Sequence, residues 1–469
     1  MTVREISSSL YPKLARRRGF KMKRREFNRL LLASAAGAAG TLRLMESGAF
    51  CAGSYTINPD RLRASLEALS EYGRDPHGGV TRVAWTQPDI EARRFVMEKL
   101  MPAAGLKARV DAAGSIYGRR EGKQNLPVIL FGSHIDTVPE GGIFDGALGS
   151  LAAIEAMQTL ADRKVETHHP LECVIWSNEE GVHYGRGLFG SRAAVGEFEP
   201  GELDERDEHG VHIRDAVSGI GGDLSHIQEA RRKPEDIAVY LELHIEQGGI
   251  LDRAGVSIGV VEGIVGIIRY QTVVTGEANH AGTTPMPDRR DALVAASHLV
   301  IAVQEETVRN AGRQVGTVGK LSVHPDAPNI IPGQVELIIE LRDLSLSNVE
   351  GIFKRIAARA AQIAASSGTK ITIQPISTHQ PALAAPWVRE IIAREAAAAG
   401  LKTLSLPSGA GHDAQMLARI APMGMIFVPS VGGISHSPKE LTRWEDTANG
   451  CEVLYRAVLA IDSLRTQPR

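Results

Sequence analysis

The sequence predicts an α/β protein with a mixed sheet and helices on both faces, interrupted by an inserted α+β layer with four antiparallel strands. Short apolar runs at 128–131 and 171–176 are typical of buried strands, and helical patterns follow them. Between residues 263 and 378 the order changes to strand, helix, strand, strand, helix, strand, which is typical of a small α+β layer. After Pro386 the earlier alternation of helix and strand returns. The inserted layer therefore divides the main domain into two parts, 53–262 and 379–469.

Composition excludes several classes of function. The chain has 469 residues, enough for two domains, and its 53 Lys plus Arg nearly balance its 55 Asp plus Glu. This balance gives no electrostatic reason to expect nucleic acid or an acidic membrane surface as a partner. The three cysteines, Cys51, Cys173 and Cys451, have no paired spacing, so neither a disulfide framework nor a thiolate zinc site is expected.

The first 52 residues have the pattern of a targeting segment, so they are not used to predict the fold. A basic stretch, K-R-R-E-F-N-R from Lys23 to Arg29, precedes an uncharged run from Leu30 to Leu42. It resembles a bacterial twin-arginine export signal, which predicts a periplasmic location. The run is too short to be a stable membrane anchor. The alternative is a basic, disordered extension on a cytoplasmic protein.

The stretch from Gly132 to Gly146, G-S-H-I-D-T-V-P-E-G-G-I-F-D-G, follows the first apolar run. His134 and Asp136 are two residues apart, so on an extended backbone they point the same way. Asp145 follows a Gly-rich turn and is expected to cap a helix that begins near Gly146. A histidine and two carboxylates at the end of a strand form a plausible metal site. The alternative is a solvated turn followed by a helix cap.

Other predicted strands also end in possible ligands. Glu179 and Glu180 follow the strand that ends near Trp176, and His244 follows the apolar run 239–243. His436 comes after a further predicted strand, in a loop that ends with Glu440. Sites in open α/β sheets form at the carboxyl ends of strands, so these side chains are expected to meet. A solvated acidic loop is the alternative for the glutamate pair.

Taken together, these motifs resemble the peptidase M20 metallohydrolases. The likeness is to the branch that holds N-carbamoyl-L-amino acid hydrolases, β-ureidopropionases and allantoate amidohydrolases. It covers roughly Pro59 to Leu464, and the set of motifs in this order is highly specific. The motifs are G-S-H-I-D-T-V from Gly132, F-D-G-A-L-G from Phe144, N-E-E-G from Asn178, E-L-H-I-E-Q-G from Glu242, A-N-H-A-G-T-T-P-M from Ala278 and G-I-S-H-S-P-K-E from Gly433.

The resemblance implies a site for two divalent metal ions. Asp145 would bridge them, with His134 and His244 on one ion and Glu180 and His436 on the other. Zn²⁺ is the first expectation, and Mn²⁺, Co²⁺ or Ni²⁺ would suit the same ligands. Two catalytic roles are implied as well: Asp136 would hold His134 in position, and Glu179 would be the general base that activates water.

The resemblance also makes the inserted layer a lid and dimerisation domain, and the protein a homodimer. His280 would reach the active site of the partner subunit and stabilise an oxyanion. Four residues are implied to bind substrate: Gln247, Asn329, Arg342 and Gly409. For Arg342 the alternative is a salt bridge at the strand end to Asp343 or a neighbour. His412 is a further candidate for the pocket.

The implied activity is hydrolysis of the carbamoyl C–N bond of an N-carbamoyl-L-amino acid or a related ureido acid. The alternatives are an allantoate amidohydrolase, an aminoacylase or dipeptidase of the same superfamily, and an inactive periplasmic binding relative. Two departures from the family bear on substrate choice. Ile267 stands where many relatives have Gln, and His183-Tyr184 stands where relatives often have Arg-Phe.

Overall fold

The computed structural model describes residues 55–198 and 201–464. The predicted export segment, residues 1–52, lies outside the described residues and stays a prediction. None of the helices in the described part of the chain combines the length and the apolar composition that crossing a bilayer requires.

A nine-stranded sheet forms the larger layer, in the order β1-β2-β4-β3-β5-β15-β6-β13, with β14 paired to β6. Its four central strands, β4, β3, β5 and β15, are parallel, whereas β1, β2 and β13 pair antiparallel to their neighbours. The sheet is therefore mixed, as predicted. Its strands are β1 (Lys107–Val110), β2 (Ile116–Arg120), β3 (Val128–His134), β4 (Leu171–Trp176), β5 (Ile237–Ile245), β6 (Ile258–Ile264), β13 (Ala382–Leu383), β14 (Thr403–Ser408) and β15 (Met423–Val428).

A separate four-stranded sheet, hereafter the small sheet, follows β6 in the chain. Its order is β12-β7-β11-β9, and every pair in it is antiparallel. A two-stranded ribbon of β8 and β10 belongs to the same stretch of chain. The strands are β7 (Gly266–Thr275), β8 (Asn279–His280), β9 (Val315–His324), β10 (Ile330–Ile331), β11 (Gln334–Asp343) and β12 (Lys370–His379). The predicted fold class, a mixed α/β sheet with an inserted four-stranded antiparallel sheet, is confirmed.

Polar residues cap three of the longer helices by accepting hydrogen bonds from backbone N–H groups that a helix cannot satisfy internally. Asn58 accepts from Arg61, with Pro59 at the first helical position, and Asp291 and Ser345 cap two helices beside the small sheet. The α-helices are Pro59–Ser70, Gln87–Phe95, Met101–Ala103, Ala147–Asp162, Phe189–Val195, Ile213–Gly219, Ile250–Ala254, Ala292–Val308, Leu346–Ser367, Pro386–Ala398, Asp413–Leu417 and Trp444–Asp462. A π-helical segment, Val96–Leu100, continues the second of these, and 3₁₀ segments occur at Glu202–Asp204, Leu224–Ala230, Pro234–Asp236, Met286–Asp288 and Val431–Gly433.

Apolar cores cover both faces of the large sheet, and the small sheet has its own. The helix Ala147–Asp162 is buried along almost its whole length, because it lies between the sheet and the C-terminal helix. This helix directly follows the Gly-rich turn, so its burial fixes where that turn lies. The chain crosses between the two sheets at Val265 and at residues 380–381. The domain boundaries predicted at 262/263 and 378/379 stay predictions.

Candidate metal centre

The four parallel central strands bring the predicted ligands to one edge of the large sheet. His134 is the last residue of β3 and His244 is next to last in β5. Glu179 and Glu180 follow β4, and the loop after β15 carries His436. Because the carboxyl ends of adjacent parallel strands lie side by side, residues far apart in sequence meet there.

Asp145 lies at the centre of this group. Its Oδ1 is 3.1 Å from Nε2 of His244 and 3.9 Å from Nε2 of His134. Its Oδ2 is 3.2 Å from Nε2 of His436, which is in turn 3.5 Å from Oε1 of Glu180. Two triads share the aspartate, His134–Asp145–His244 and Asp145–Glu180–His436, and the possible ligand atoms of each lie within 4.8 Å of one another. These five residues are hereafter the metal cluster.

The expectation that Asp145 caps the following helix is wrong. Gly146 occupies the cap position, and no side chain caps that helix. The carboxylate of Asp145 instead lies against the imidazoles of His244 and His436 at the ends of the strands. Gly146 has φ +62, and a Cβ there would lie 2.3 Å from the His134 ring. Only glycine fits both the conformation and the space.

Asp136 makes a different contact from the one that its spacing suggests. Its backbone oxygen lies 3.0 Å from Nδ1 of His134, whereas its carboxylate is 3.7 Å from that nitrogen. The carboxylate accepts hydrogen bonds from the backbone N–H groups of Glu179, at 3.2 Å, and Glu180, at 3.1 Å. Asp136 thus orients the imidazole through its main chain and holds the glutamate turn through its side chain.

Burial and mutual repulsion dominate the electrostatics of the carboxylates. Burial raises the pKa of Glu179 well above its usual value, and the charges of Glu180 and Asp136 raise it further. Burial also raises the pKa of Glu180, as do the charges of Asp145 and Asp136. Several carboxylates enclosed together repel one another strongly unless a cation lies among them.

The donor set fits divalent cations. Imidazole nitrogens and carboxylate oxygens are ligands that Zn²⁺ and similar metals prefer. Oε1 of Glu180 is buried and accepts no hydrogen bond from the residues that the structure describes, although it lies within the second triad. Burial lowers the pKa of His134 to about 4, which keeps this imidazole neutral and able to ligate.

A further group, Glu242, His244 and His412, is also close enough to hold a metal. Both oxygens of Glu242 already accept hydrogen bonds, from Ser133, Tyr240 and the Ala414 N–H. His412 lies behind the cluster, with its ring 4.5 Å from that of His244 and its Nε2 2.8 Å from Oγ of Ser408. This group is a satisfied polar network that supports His244.

Comparison with known proteins identifies the family. Residues 130–460 match the family described as peptidase family M20/M25/M40. The chain belongs to peptidase family M20. A curated N-carbamoyl-L-amino acid amidohydrolase of Geobacillus stearothermophilus is 43% identical over 403 residues, which cover 86% of this chain and 98% of that protein. The protein is therefore an M20 amidohydrolase, a hydrolase of C–N bonds.

A second curated protein and a solved structure are also similar to this chain. An allantoate amidohydrolase of Bacillus subtilis is 36% identical over 381 residues, 80% of this chain and 91% of that one. The crystal structure of a hydantoinase/carbamoylase family amidase from Burkholderia ambifaria superposes with a TM-score of 0.81 at 34% identity, covering 88% of this chain and 99% of the other.

Gln247 reaches the cluster of this M20 enzyme from the end of β5. Its Nε2 donates to Oδ2 of Asp145 at 2.8 Å, and its Oε1 is buried without a hydrogen-bond partner among the described residues. Gln247 has φ +58, and its backbone N–H donates to Oγ of Ser430. This strained backbone is held in place and brings the side-chain amide nitrogen to Asp145.

His280 and Asn329 lie on neighbouring segments of the inserted layer. The Ala281 N–H donates to the backbone oxygen of Asn329, and β8 pairs with β10 alongside. Both side chains are exposed. Within residues 55–198 and 201–464, no hydrogen bond joins either residue to the metal cluster.

Arg342 and Gly409 are hydrogen-bonded, although Arg342 lies on the small sheet and Gly409 follows β14 of the large sheet. Nη1 of Arg342 donates to the backbone oxygen of Gly409 at 2.6 Å, and its Nε donates to Oε1 of Glu340 at 2.8 Å. The neighbour that pairs with the arginine is thus Glu340, while Asp343 accepts from Ser345 and Asn348. The substrate-binding roles of Gln247, Asn329, Arg342 and Gly409 stay predictions.

Sequence reasoning gave no role to two residues that contact the cluster, Ser435 and Glu440. Oγ of Ser435 lies 2.9 Å from Oδ2 of Asp145 and 2.8 Å from Oε2 of Glu440. Both belong to the motif that contains His436. The available signal was an acidic residue four positions after a predicted ligand, in a loop rich in glycine and serine.

Proposed function

We propose that the protein uses two divalent metal ions to hydrolyse the carbamoyl C–N bond of N-carbamoyl-L-amino acids or related ureido acids. The observation that carries the proposal is the pair of triads that share Asp145. The 43% identity to an N-carbamoyl-L-amino acid amidohydrolase over nearly its whole length supports the substrate class.

The metal cluster would hold the ions, His134 and His244 on one and Glu180 and His436 on the other, with Asp145 between. Ions bound there would polarise the carbamoyl oxygen and lower the pKa of an attacking water. Zn²⁺ is the first candidate, with Mn²⁺, Co²⁺ and Ni²⁺ as alternatives.

Glu179 is the proposed general base. Its Oε2 lies 3.6 Å from Nε2 of His134, so it borders the cluster, and its pKa is raised by burial and by neighbouring carboxylates. The group would take a proton from water as the water oxygen adds to the carbamoyl carbon. It would then give that proton to the leaving nitrogen as the C–N bond breaks. Asp136 keeps Glu179 in place through the backbone N–H.

His280 is proposed to donate a hydrogen bond to the developing oxyanion. Its Nδ1 accepts hydrogen bonds from the N–H groups of Gly282, at 3.0 Å, and Thr283, at 3.2 Å. In the neutral ring this places the proton on Nε2, which leaves a free donor. His280 is exposed, and none of its hydrogen bonds among the described residues reaches the metal cluster. The proposal therefore assigns it to the site of a partner subunit in a homodimer.

Arg342 is proposed to bind the carboxylate of the substrate. Arg269 holds the other oxygen of Glu340, with its Nε 2.6 Å from Oε2, so Glu340 is fixed between two arginines. The guanidinium of Arg342 is thereby held beside Gly409, on the side of the large sheet. Arginine suits this role because its fork matches a carboxylate in geometry and charge.

Allantoate is the second candidate substrate. It presents the same ureido carbon to the cluster, and the 36% identity to the allantoate amidohydrolase of Bacillus subtilis favours it. Aminoacylase and dipeptidase activities would use the same cluster but would release no ammonia.

An ammonia-release assay tests the proposal. The purified protein is stripped of metal, reloaded with Zn²⁺, Mn²⁺, Co²⁺ or Ni²⁺, and given N-carbamoyl-L-amino acids, allantoate, N-acetyl amino acids and dipeptides. We expect metal-dependent ammonia release from a ureido acid and none from the stripped protein. Turnover of only N-acyl or peptide substrates would overturn the substrate class, and full activity after stripping would overturn the metal requirement.

Export by the twin-arginine route is proposed for the segment that carries Arg24 and Arg25. The test is fractionation of cells that express the full chain and a variant with both arginines replaced by lysine. We expect activity in the periplasm for the first and in the cytoplasm for the second. Cytoplasmic activity for both would favour the alternative, a cytoplasmic enzyme with a basic extension.

A further inference from the structure

Glu440 joins two loops that each carry a member of the metal cluster. It is buried, with 7% of its surface exposed, and it lies four residues after His436. Its Oε1 accepts hydrogen bonds from the backbone N–H groups of Phe144, at 2.9 Å, and Asp145, at 3.1 Å. These contacts span almost 300 residues of chain, so they are tertiary contacts of the folded site.

The other oxygen of Glu440 continues the connection. Oε2 lies 2.8 Å from Oγ of Ser435, and the same Oγ lies 2.9 Å from Oδ2 of Asp145. Glu440 therefore contacts Asp145 twice, once through the main chain and once through the Ser435 hydroxyl. Ser435 is the residue directly before His436, so the position of that imidazole depends on the same contacts.

Close packing at Gly142 shows that the chain makes room for this carboxylate. A Cβ at Gly142 would lie 2.0 Å from Oε1 of Glu440 and 2.5 Å from its Cβ. The backbone of Gly142 has an ordinary φ, so the glycine is explained by close approach and not by conformation. The turn that contains Gly142 leads directly to Asp145.

We propose that Glu440 is a positioning residue that sets the affinity of the site for divalent ions, by holding Asp145 and His436 in register. The inference rests on the proposed metal-dependent function. Asp145 belongs to both triads and His436 to one, so a shift of the Asp145 loop changes the shape of both triads and a shift of the His436 loop changes the shape of one. Loss of a side chain that holds a metal ligand in position typically weakens metal affinity by about 10–100-fold.

The substitutions separate positioning from general stability. Glu440→Ala removes the hydrogen bonds of Glu440 to Phe144, Asp145 and Ser435. Glu440→Gln keeps an oxygen for the two N–H groups and offers an amide donor to Ser435, and Ser435→Ala cuts only the second connection. Glu452→Ala is the matched control: Glu452 is also buried and accepts two backbone N–H bonds, from Thr56 and Ile57, and its described contacts include no member of the metal cluster.

Two measurements on stripped protein decide the matter: the affinity for Zn²⁺ and Co²⁺ by titration, and the melting temperature without metal. We expect Glu440→Ala to weaken affinity by about 10–100-fold and Ser435→Ala to weaken it less. Glu440→Gln should stay within about tenfold of wild type. Glu452→Ala should lower the melting temperature and leave the affinity unchanged.

Two results would overturn the inference: wild-type affinity in both Glu440→Ala and Ser435→Ala, or an equal loss of affinity in Glu452→Ala. If Glu440→Ala does not fold, the other two variants still test the inference. Wild-type affinity in Ser435→Ala, or a loss of affinity far beyond tenfold in Glu440→Gln, would contradict it. Failure of the wild-type protein itself to bind ions would instead contradict the proposed function.

Discussion

The metal cluster and three residues of the inserted layer, His280, Asn329 and Arg342, differ in how far the described part of the chain brings them together. The side chains of the cluster contact one another at the ends of parallel strands, and all but His436 are enclosed. His280 and Asn329 are exposed, and the side-chain hydrogen bonds of Arg342 go to Glu340 and the Gly409 backbone among the described residues. The first region is assembled by the fold of the large sheet, whereas no hydrogen bond joins the second to the cluster within the described residues.

This difference predicts that changes in the two regions have different effects. Under the proposed function, the metal cluster and Glu179 would support the chemical step, because their side chains already lie together. The exposed residues of the inserted layer would contribute when substrate or a partner subunit brings them to the cluster. Changes in the first region should therefore reduce kcat or metal content. In the second region, loss of Arg342 should raise KM, and loss of His280 should lower kcat at the site that this histidine reaches.

The largest effect is expected from Glu179→Gln. Losing a general base should lower kcat by about 10²–10⁴-fold while the metal content stays at the wild-type level. Glu180→Gln is the matched control, because the adjacent glutamate is a proposed ligand and its loss should reduce bound metal. Equal activity in Glu179→Gln and wild type, with ammonia release and metal content measured together, would remove the catalytic assignment.

His280→Ala should have the next largest effect, a decrease in kcat of about 10²–10³-fold, as for loss of one oxyanion donor. Mixing this variant with Glu179→Gln under conditions that exchange subunits tests the source of the histidine. If the partner supplies it, hybrids have one complete site, and random exchange restores about a quarter of wild-type activity. No restoration on mixing would place His280 in the site of its own chain.

Arg342→Ala should mainly raise KM for substrates with a carboxylate. A charged hydrogen-bonded contact contributes about 1.5–3 kcal/mol, which corresponds to about 10–150-fold in binding. Glu340→Gln, which keeps the side-chain shape, should raise KM less. A KM that is unchanged in Arg342→Ala, with kcat also unchanged, would leave the arginine as a structural link to Gly409.

Ile267→Gln should have the smallest effect. Ile267 lies directly opposite Arg342 in the β7–β11 pair, so the two side chains are cross-strand neighbours. We expect a change in preference among ureido acids of less than about tenfold in kcat/KM, without loss of metal. Identical preference across the substrate panel would show that this departure from the family does not affect specificity.

Much of the fold was predictable because the sequence patterns are strong and local. Buried runs predicted β3, β4 and β15, and the texture of residues 263–378 predicted four strands and two helices in the observed order along the chain. The members of the metal cluster were predictable as a set because each lies at or after the carboxyl end of a strand at the same edge. The π-helical segment Val96–Leu100 was not predicted.

The contacts around the cluster depend on tertiary packing and could not be predicted from local patterns. The cap assigned to Asp145 failed because imidazoles from β5 and the last loop compete for its carboxylate. Asp136 is bonded to the glutamate turn because β3 and β4 are neighbours in the sheet. The role of Glu440 depends on a loop almost 300 residues away.

The connections to the small sheet have a consequence of their own. The chain departs after β6 and returns at β13, and these strands pair, with Ile264 opposite Ala382. The outgoing and incoming segments therefore run side by side, and Ile267 still faces His379 just beyond them. A short hairpin in place of the inserted layer would therefore join β6 to β13 without changing the order of strands in the large sheet. We therefore expect a chain shortened in this way to keep the large sheet and the metal cluster.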